Sequence, residues 1–419
     1  MREHAIKARE NLFKRLEDQS VTVLYSGHAP HRSADQNYDY TPQRNFFYVT
    51  NLSEPNMILM LLKGDQDKTL LFIEKNTDFK IKWEGASLTK EEASALSGID
   101  AKSIFYLDDF DKVFNQTMNY ARSIMGTPPV TLYLDLYHES VKKKPVSLSQ
   151  AANIVENYPE LNIKSVNAHI SYLRMFKTDE EIEEIKQAIA HTKKGLDNVL
   201  ANIKTRTHEY QLQADFLHAI TLDGSEGYAF DTIAACGKNA TVLHYTDNKD
   251  TLDHNEMILF DLGALHNNYA SDISRTYPVG GAYSKRQKEI YQAVLDVNKK
   301  SIDFVKPGVT WKELNDYAKD LLAKKAVKLG LIQEEKDIMN VYYHSIGHFM
   351  GLDVHDVGLY NQPLEAGMVL TIEPGLYTSE EGIGVRIEDD ILVTEDGCVN
   401  LSEAIIKEVD DIEKAIKGS

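Results

Sequence analysis

Five side chains able to hold metal occur in the order Asp261, Asp272, His348, Glu373, Glu388, four carboxylates and one imidazole, with the carboxylates inside strand-like apolar runs. Oxygen-rich ligation with a single imidazole suits hard or borderline divalent ions. Manganese is the first expectation and cobalt or zinc the alternatives, and two such ions can share bridging carboxylates and a hydroxide. The stretch MILFDLGALHNNYASDISRTYPV reads as two strands joined by a turn at His266, Asn267 and Asn268. Asp261 and Asp272 are nearly equidistant from that turn, so the hairpin is expected to set them opposite one another. Like charges facing across a sheet destabilise it unless a cation lies between them. In LTIEPGLYTSEEGIGVRIEDDILV the device repeats, with Glu373 and Glu388 at comparable distances from a turn around Glu381 and Gly382. Taken singly, each acid reads best as a strand residue facing water; together they read as a two-metal hydrolytic centre.

Among the fourteen histidines, His344, His348 and His355 share one glycine-containing segment at spacings of four and seven. The H-E-x-x-H pattern of zincin proteases is absent, which leaves His348 as the one imidazole ligand beside the acidic hairpins. His344 and His355 either donate protons or hydrogen bonds to a developing oxyanion or only orient ligands. The chain has no G-x-S-x-G elbow, no G-x-x-x-x-G-K-[ST] loop and no G-x-G-x-x-G fingerprint. Cys236 has no activating base beside it, so a metal-activated water remains.

Five segments carry a family resemblance: NATVLHYTDN (239–248), FDLGALHNNYASDISRTYPV (260–279), HSIGHFMGLDVHD (344–356), TIEPGLY (371–377) and GIGVRIEDD (382–390). Through them the chain resembles, over nearly its whole length, the metal-dependent aminopeptidases and prolidases of the pita-bread fold, most closely the Xaa-Pro aminopeptidases (aminopeptidase P). The resemblance implies that Asp261 and Asp272 hold metal in the first hairpin, that His348 and Glu373 hold the second ion, and that Glu388 bridges the pair with Asp272. It makes His244, His344 and His355 supporting groups, and implies that His244, His355, Tyr377 and Arg386 lie around an apolar slot for a proline ring or support its walls. Asp35 and Trp83 match positions that in this family can reach the active site of a neighbouring subunit, although Ala86 and Ser87 depart from the arginine-containing version of that segment.

The expected reaction is attack of a metal-bridging hydroxide on the carbonyl before proline, releasing the first residue of the peptide. The oxyanion is stabilised by His355 or His244, and Glu373 shuttles a proton to the leaving nitrogen; His344 and Arg386 complete the expected catalytic set. The segment YTPQRNFFYVTNLSEPNMILML favours aminopeptidase P over bacterial prolidase. The alternatives are an Xaa-Pro dipeptidase, in which Arg386 would hold the substrate carboxylate, and a metal-free scaffold of the same fold. Methionine aminopeptidase is disfavoured by an extra domain of about 170 residues.

A chain of 419 residues suggests two domains. An α/β amino-terminal domain, creatinase-like by the resemblance, is expected over 1–172, and an α+β pita-bread catalytic domain over 173–419. Strands are predicted at VTVLYSG, FFYVTNL, NMILMLLK, TLLFIEK, SIFYLDDF and VTLYLDLY. The second part opens with a long helix at Thr178 or Asp179, where Thr178 and Glu181 form a capping-box pattern. Further helices are predicted at HEYQLQADFLHAITLDG, SKRQKEIYQAVLDVNKKSIDFV and TWKELNDYAKDLLAKKAVKLG. Tyr291, Val294, Leu295, Ile302 and Val305 recur at helical spacing as core, and the acidic run 179–184 reads as a solvated helix face.

A net charge of −18 without a long basic run argues against nucleic acid or anionic membrane as partner. Neither a signal-peptide core nor a stretch of roughly 18 apolar residues occurs, so cytoplasmic residence is expected. Two cysteines, Cys236 and Cys398, are too few for a disulfide framework and read as small buried residues. The expected partners are peptides with an Xaa-Pro amino terminus and further copies of the chain, as a homodimer or homotetramer.

Overall fold

The computed structural model describes residues 1–119, 123–137 and 146–418, which form two compact units, Met1–Arg174 and Met175–Ser419. His138, to which the sequence assigns no role, lies outside the described residues.

The first unit is α/β. Its six-stranded sheet runs, in spatial order, Ile104–Tyr106, Lys68–Ile73, Ile58–Lys63, Ser20–Tyr25, Thr131–Leu134 and Asn162–Ser165. Ser20–Tyr25 is antiparallel to Ile58–Lys63 and parallel to Thr131–Leu134, and Val21, Val23, Met60, Leu62, Phe72 and Leu132 meet in its core. One predicted strand is overturned: FFYVTNL lies in the helix Arg44–Thr50, which ends at Asn51 in the left-handed conformation (φ 57°). A short run of continuous apolar residues fits a fully buried helix as well as a strand, and six of these seven residues are buried.

The second unit is α+β. Thr178 caps the helix Asp179–Asn202 with a reciprocal bond to Glu181, and the helices Glu209–Leu222, Lys285–Phe304 and Trp311–Lys328 follow. Two expectations need correction here. Glu181 is not solvated but buried, held by the Thr178 backbone N–H and near the Tyr269 hydroxyl; Ile302 is only half-buried, unlike Tyr291, Val294, Leu295 and Val305. Cys398 is likewise half-buried, whereas Cys236 is buried. One three-stranded sheet has Met257–Leu262 between Ile233–Cys236 and Ile273–Pro278; another has Asp389–Val393 between Val369–Ile372 and Cys398–Asn400. Among the described residues no helix is long and apolar enough to cross a membrane.

Candidate metal centre

The first hairpin turns on two residues, Asn267 and Asn268, both with positive φ (47° and 66°). Asparagine tolerates this conformation, which matches the twist of a tight hairpin. Because the loop has two residues rather than three, Asp261 pairs with Ser274, and Asp272 stands just before the second strand. The expected direct opposition of Asp261 and Asp272 is therefore replaced by a diagonal one. Side chains alternate with period two, so the diagonal keeps both carboxylates on one face.

In the second hairpin one register runs through two short ladders, Val369–Ile372 with Asp389–Val393 and Gly375–Thr378 with Ile383–Arg386. Continued across the gap between them, it sets Glu373 opposite Glu388. The hairpins meet where the Glu388 N–H donates to the Ser274 carbonyl (3.1 Å) and the Ser274 hydroxyl to Glu388 Oε2 (2.7 Å). His348 reaches the same place on a segment that runs beside Val369–Ile372: Thr371 N–H donates to the His348 carbonyl and Glu373 N–H to that of Ile346. Gly347 makes this approach possible, because a Cβ there would lie 1.9 Å from the Thr371 carbonyl oxygen.

These contacts gather one ligating atom each from Asp261, Asp272 and Glu388 within 4.8 Å of one another, and likewise from His348, Glu373 and Glu388, and from Asp272, His348 and His355. They line a cavity of about 440 Å³ together with Leu243, His244, Trp311, Asn315, His344, Tyr360 and Arg386. His348 Nδ1 faces the Phe349 carbonyl at 3.0 Å, which places the proton on Nδ1 and leaves the Nε2 lone pair, 3.3 Å from Asp272, free to ligate.

The charge in this pocket is unbalanced. Four carboxylates face one guanidinium, Arg386, each of whose nitrogens makes a hydrogen bond: NH2 on Asp261 (2.6 Å), Nε on Ser274 Oγ (2.8 Å) and NH1 on the Tyr377 hydroxyl (3.1 Å). Burial, then the neighbouring Asp261, raises the pKa of Asp272; burial, then Asp272, raises that of Glu388; and burial pushes Glu373 up to about 7. Asp261 Oδ1 and Asp272 Oδ1 are buried without a hydrogen-bond partner. Acceptor-only oxygens left unpaired beside excess negative charge fit divalent cations.

Of the remaining predicted site residues, His244 and His355 are exposed at the cavity, and the His355 ring lies 3.9 Å from that of His348. Burial and the neighbouring His348 hold His355 down to about 4. His344 is set by two bonds, Nδ1 with the Ser345 carbonyl (2.7 Å) and Nε2 with the Tyr377 hydroxyl (2.8 Å), and burial lowers it to about 3. Tyr377 is buried behind His344 and does not line the cavity. Asp35 and Trp83 stand exposed in the first unit, Trp83 stacked on Phe79, and neither lines this cavity.

Sequence reasoning missed several supporting groups. Asp390 is buried and accepts the Asp272 backbone N–H (3.2 Å). Glu209, fully buried, accepts from Cys236 N–H (2.7 Å), Asn239 Nδ2 (3.0 Å), the Tyr245 hydroxyl (2.8 Å) and Asp250 N–H (3.0 Å), and so fixes the loop that presents His244. An amide cannot accept four such bonds without leaving a donor unpaired. Glu209→Gln should cost about 1–3 kcal/mol of stability and raise KM several-fold with metal content unchanged. Kinetics alongside elemental analysis checks this, and a loss of metal would contradict it.

The five candidate ligands all fall within a segment that matches a known family. Residues 183–395 match the model of metallopeptidase family M24 and residues 5–125 that of the aminopeptidase P N-terminal domain. An Xaa-Pro aminopeptidase of Haemophilus influenzae is 32% identical over 425 residues, covering 97% of this chain and 95% of that protein. Among solved structures, a candidate aminopeptidase P from Bacillus anthracis is 46% identical with a TM-score of 0.95, over 100% of this chain and 98% of that one. Zinc-substituted Escherichia coli aminopeptidase P in complex with product is 27% identical with a TM-score of 0.90, over 100% and 98% of the two chains.

Proposed function

Since the chain belongs to metallopeptidase family M24, with an aminopeptidase P amino-terminal domain ahead of a pita-bread catalytic domain, we propose that it is an Xaa-Pro aminopeptidase that releases the first residue from peptides with proline in second place. The observation that carries this reading is the convergence of Asp261, Asp272, His348, Glu373 and Glu388 in one cavity with buried, unpartnered carboxylate oxygens. Asp261 and Asp272 would hold one ion and His348 and Glu373 the other, with Glu388 and Asp272 shared. Two divalent ions there, manganese first and cobalt or zinc as alternatives, would supply Lewis acidity and a water of lowered pKa.

The chain's own residues do the rest. A carboxylate lining the cavity, Glu373 is placed to take a proton from the attacking water and pass it to the proline nitrogen as the bond from the carbonyl carbon to that nitrogen breaks. An amine anion is too basic to depart, so that nitrogen leaves only once protonated, as the secondary amine of proline. His355, neutral around pH 7, donates a hydrogen bond rather than a charge to the oxyanion, and His244 faces the same cavity. His344, committed to Ser345 and Tyr377, orients the tyrosine that in turn accepts from Arg386.

Arg386 bears on specificity. A dipeptidase needs a cation for the substrate's carboxylate, whereas each nitrogen of Arg386 is already bonded within the protein, which favours the aminopeptidase reading. Exposed Asp35 and Trp83 would then contact substrate only through a neighbouring copy in a homo-oligomer, and the free cysteines accord with a cytoplasmic setting. The test compares an Xaa-Pro-Xaa tripeptide with an Xaa-Pro dipeptide on the manganese-loaded protein. Release of the first residue from the tripeptide is expected; hydrolysis confined to the dipeptide would point to a prolidase, and failure to take up any divalent ion to a scaffold.

A further inference from the structure

The ladder of the second hairpin is interrupted at the residue pair that carries its acids, Glu373 with Glu388, and at the next pair, Pro374 with Ile387. Across this gap the Ile387 N–H donates to the Pro374 carbonyl at 3.3 Å. An antiparallel pair normally exchanges two bonds, but proline has no N–H, so the Ile387 carbonyl receives nothing from the opposite strand. The missing donor comes from elsewhere. Asn298, fully buried on the helix Lys285–Phe304, directs its amide nitrogen to the Ile387 carbonyl and also to the Ile372 carbonyl, at 3.2 Å each. These carbonyls belong to the residues immediately before Glu388 and Glu373.

The orientation of that amide is forced. Lys407 Nζ, which can only donate, lies 2.9 Å from Asn298 Oδ1, so the nitrogen must point at the strands. Lys407 is itself held by Asp389 Oδ2 (2.6 Å), and the other oxygen of Asp389 takes Arg275, whose NH1 donates to the Glu388 carbonyl (2.6 Å). Asn298, Lys407, Asp389 and Arg275 thus form a buried brace along the backbone that carries the two glutamates. Asn298 does not line the cavity.

We propose that Asn298 is a positioning residue for metal binding: its side-chain amide stands in for the N–H that Pro374 lacks and thereby fixes the separation of Glu373 and Glu388. This rests on the metallopeptidase reading above. Loss of the amide lets the two strands shift at the gap, and a change in strand spacing there is directly a change in carboxylate spacing. Supporting groups of this kind typically govern metal affinity by about 10–100-fold.

The test measures manganese affinity by titration calorimetry in four proteins: wild type, Asn298→Leu, Pro374→Ala, and the double variant. Alanine at 374 returns a backbone N–H opposite Ile387. Asn298→Leu is expected to weaken manganese binding at least about ten-fold at temperatures where the fold is intact, with KM for the tripeptide little changed. The same substitution should cost far less in the Pro374→Ala background. Where the leucine variant does not fold, Asn298→Asp keeps the shape and the Lys407 contact while removing the donor, and is judged by the same comparison. Unchanged manganese affinity, or equal losses in both backgrounds, overturns the proposal; wild-type protein that binds neither manganese, cobalt nor zinc overturns the metal-centre reading instead.

Discussion

Asp272→Asn should abolish turnover and raise the melting temperature of the chelated protein at the same time. Asp272 is buried among Asp261, Glu373, Glu388 and Asp390, and one of its oxygens has no hydrogen-bond partner. Asparagine keeps the shape but removes the charge, so shared ligation is lost. A drop in kcat/KM of ~10³-fold or more is expected, about 4 kcal/mol of transition-state stabilisation. In the absence of metal the same change relieves repulsion and offers a donor to neighbouring carboxylates, a gain of roughly 1–3 kcal/mol. Calorimetry of chelated and manganese-loaded samples separates the two effects. A merely structural acid would lose stability in both, and full activity of the variant under chelation would contradict the site.

The second large effect is on pH dependence. Burial raises the carboxyls of Asp272, Glu373 and Glu388, Glu373 from 4.5 to about 7. The folded chain therefore keeps protons that the unfolded chain releases, and the stability this confers is complete at low pH and lost as pH rises through the folded values. For Glu373 alone the loss is roughly 3 kcal/mol. Burial depresses His344 and His355 to about 3 and about 4, which acts in the opposite sense but only below their ordinary 6.5. Chelated protein should thus gain stability as pH falls through about 7, steeply down to about 6.5 and more gently below it, where the two histidines offset part of the gain. Manganese displaces the same protons, so its stabilising effect should grow toward about pH 8. Melting curves with and without manganese across this range check both slopes; parallel curves would exclude coupling between the carboxylates and the ion.

The second hairpin was more legible than the first for a definite reason. Glu373 and Glu388 lie equally far from their turn and are opposite in register. Reading His266 into the first turn, instead of Asn267 and Asn268 alone, shifts the register by one residue, and taking near-equidistance from the turn as opposition adds a second, so Asp272 replaces Ser274 as the expected partner of Asp261. A shift of two preserves the face, so the acids converge even though the pairing was wrong. FFYVTNL failed because continuous burial erases the periodicity that separates strand from helix. Asn298 did leave a signal: it falls on the buried stripe with Tyr291, Val294 and Leu295, and a polar residue on a core stripe must be bonded to something. Glu209 gave none, because its partners come from residues 236–250, which no local pattern links to it.

Because the acidic hairpins are more than a hundred positions apart in the chain and are joined through Ser274 and Glu388, no half of the centre exists alone. During synthesis the ribosome must release both before any ion has a complete seat, and the intervening helices have to dock first. Loading of the proposed centre with metal would consequently be a late event in the life of each molecule, and an unfinished polypeptide would lack a complete centre.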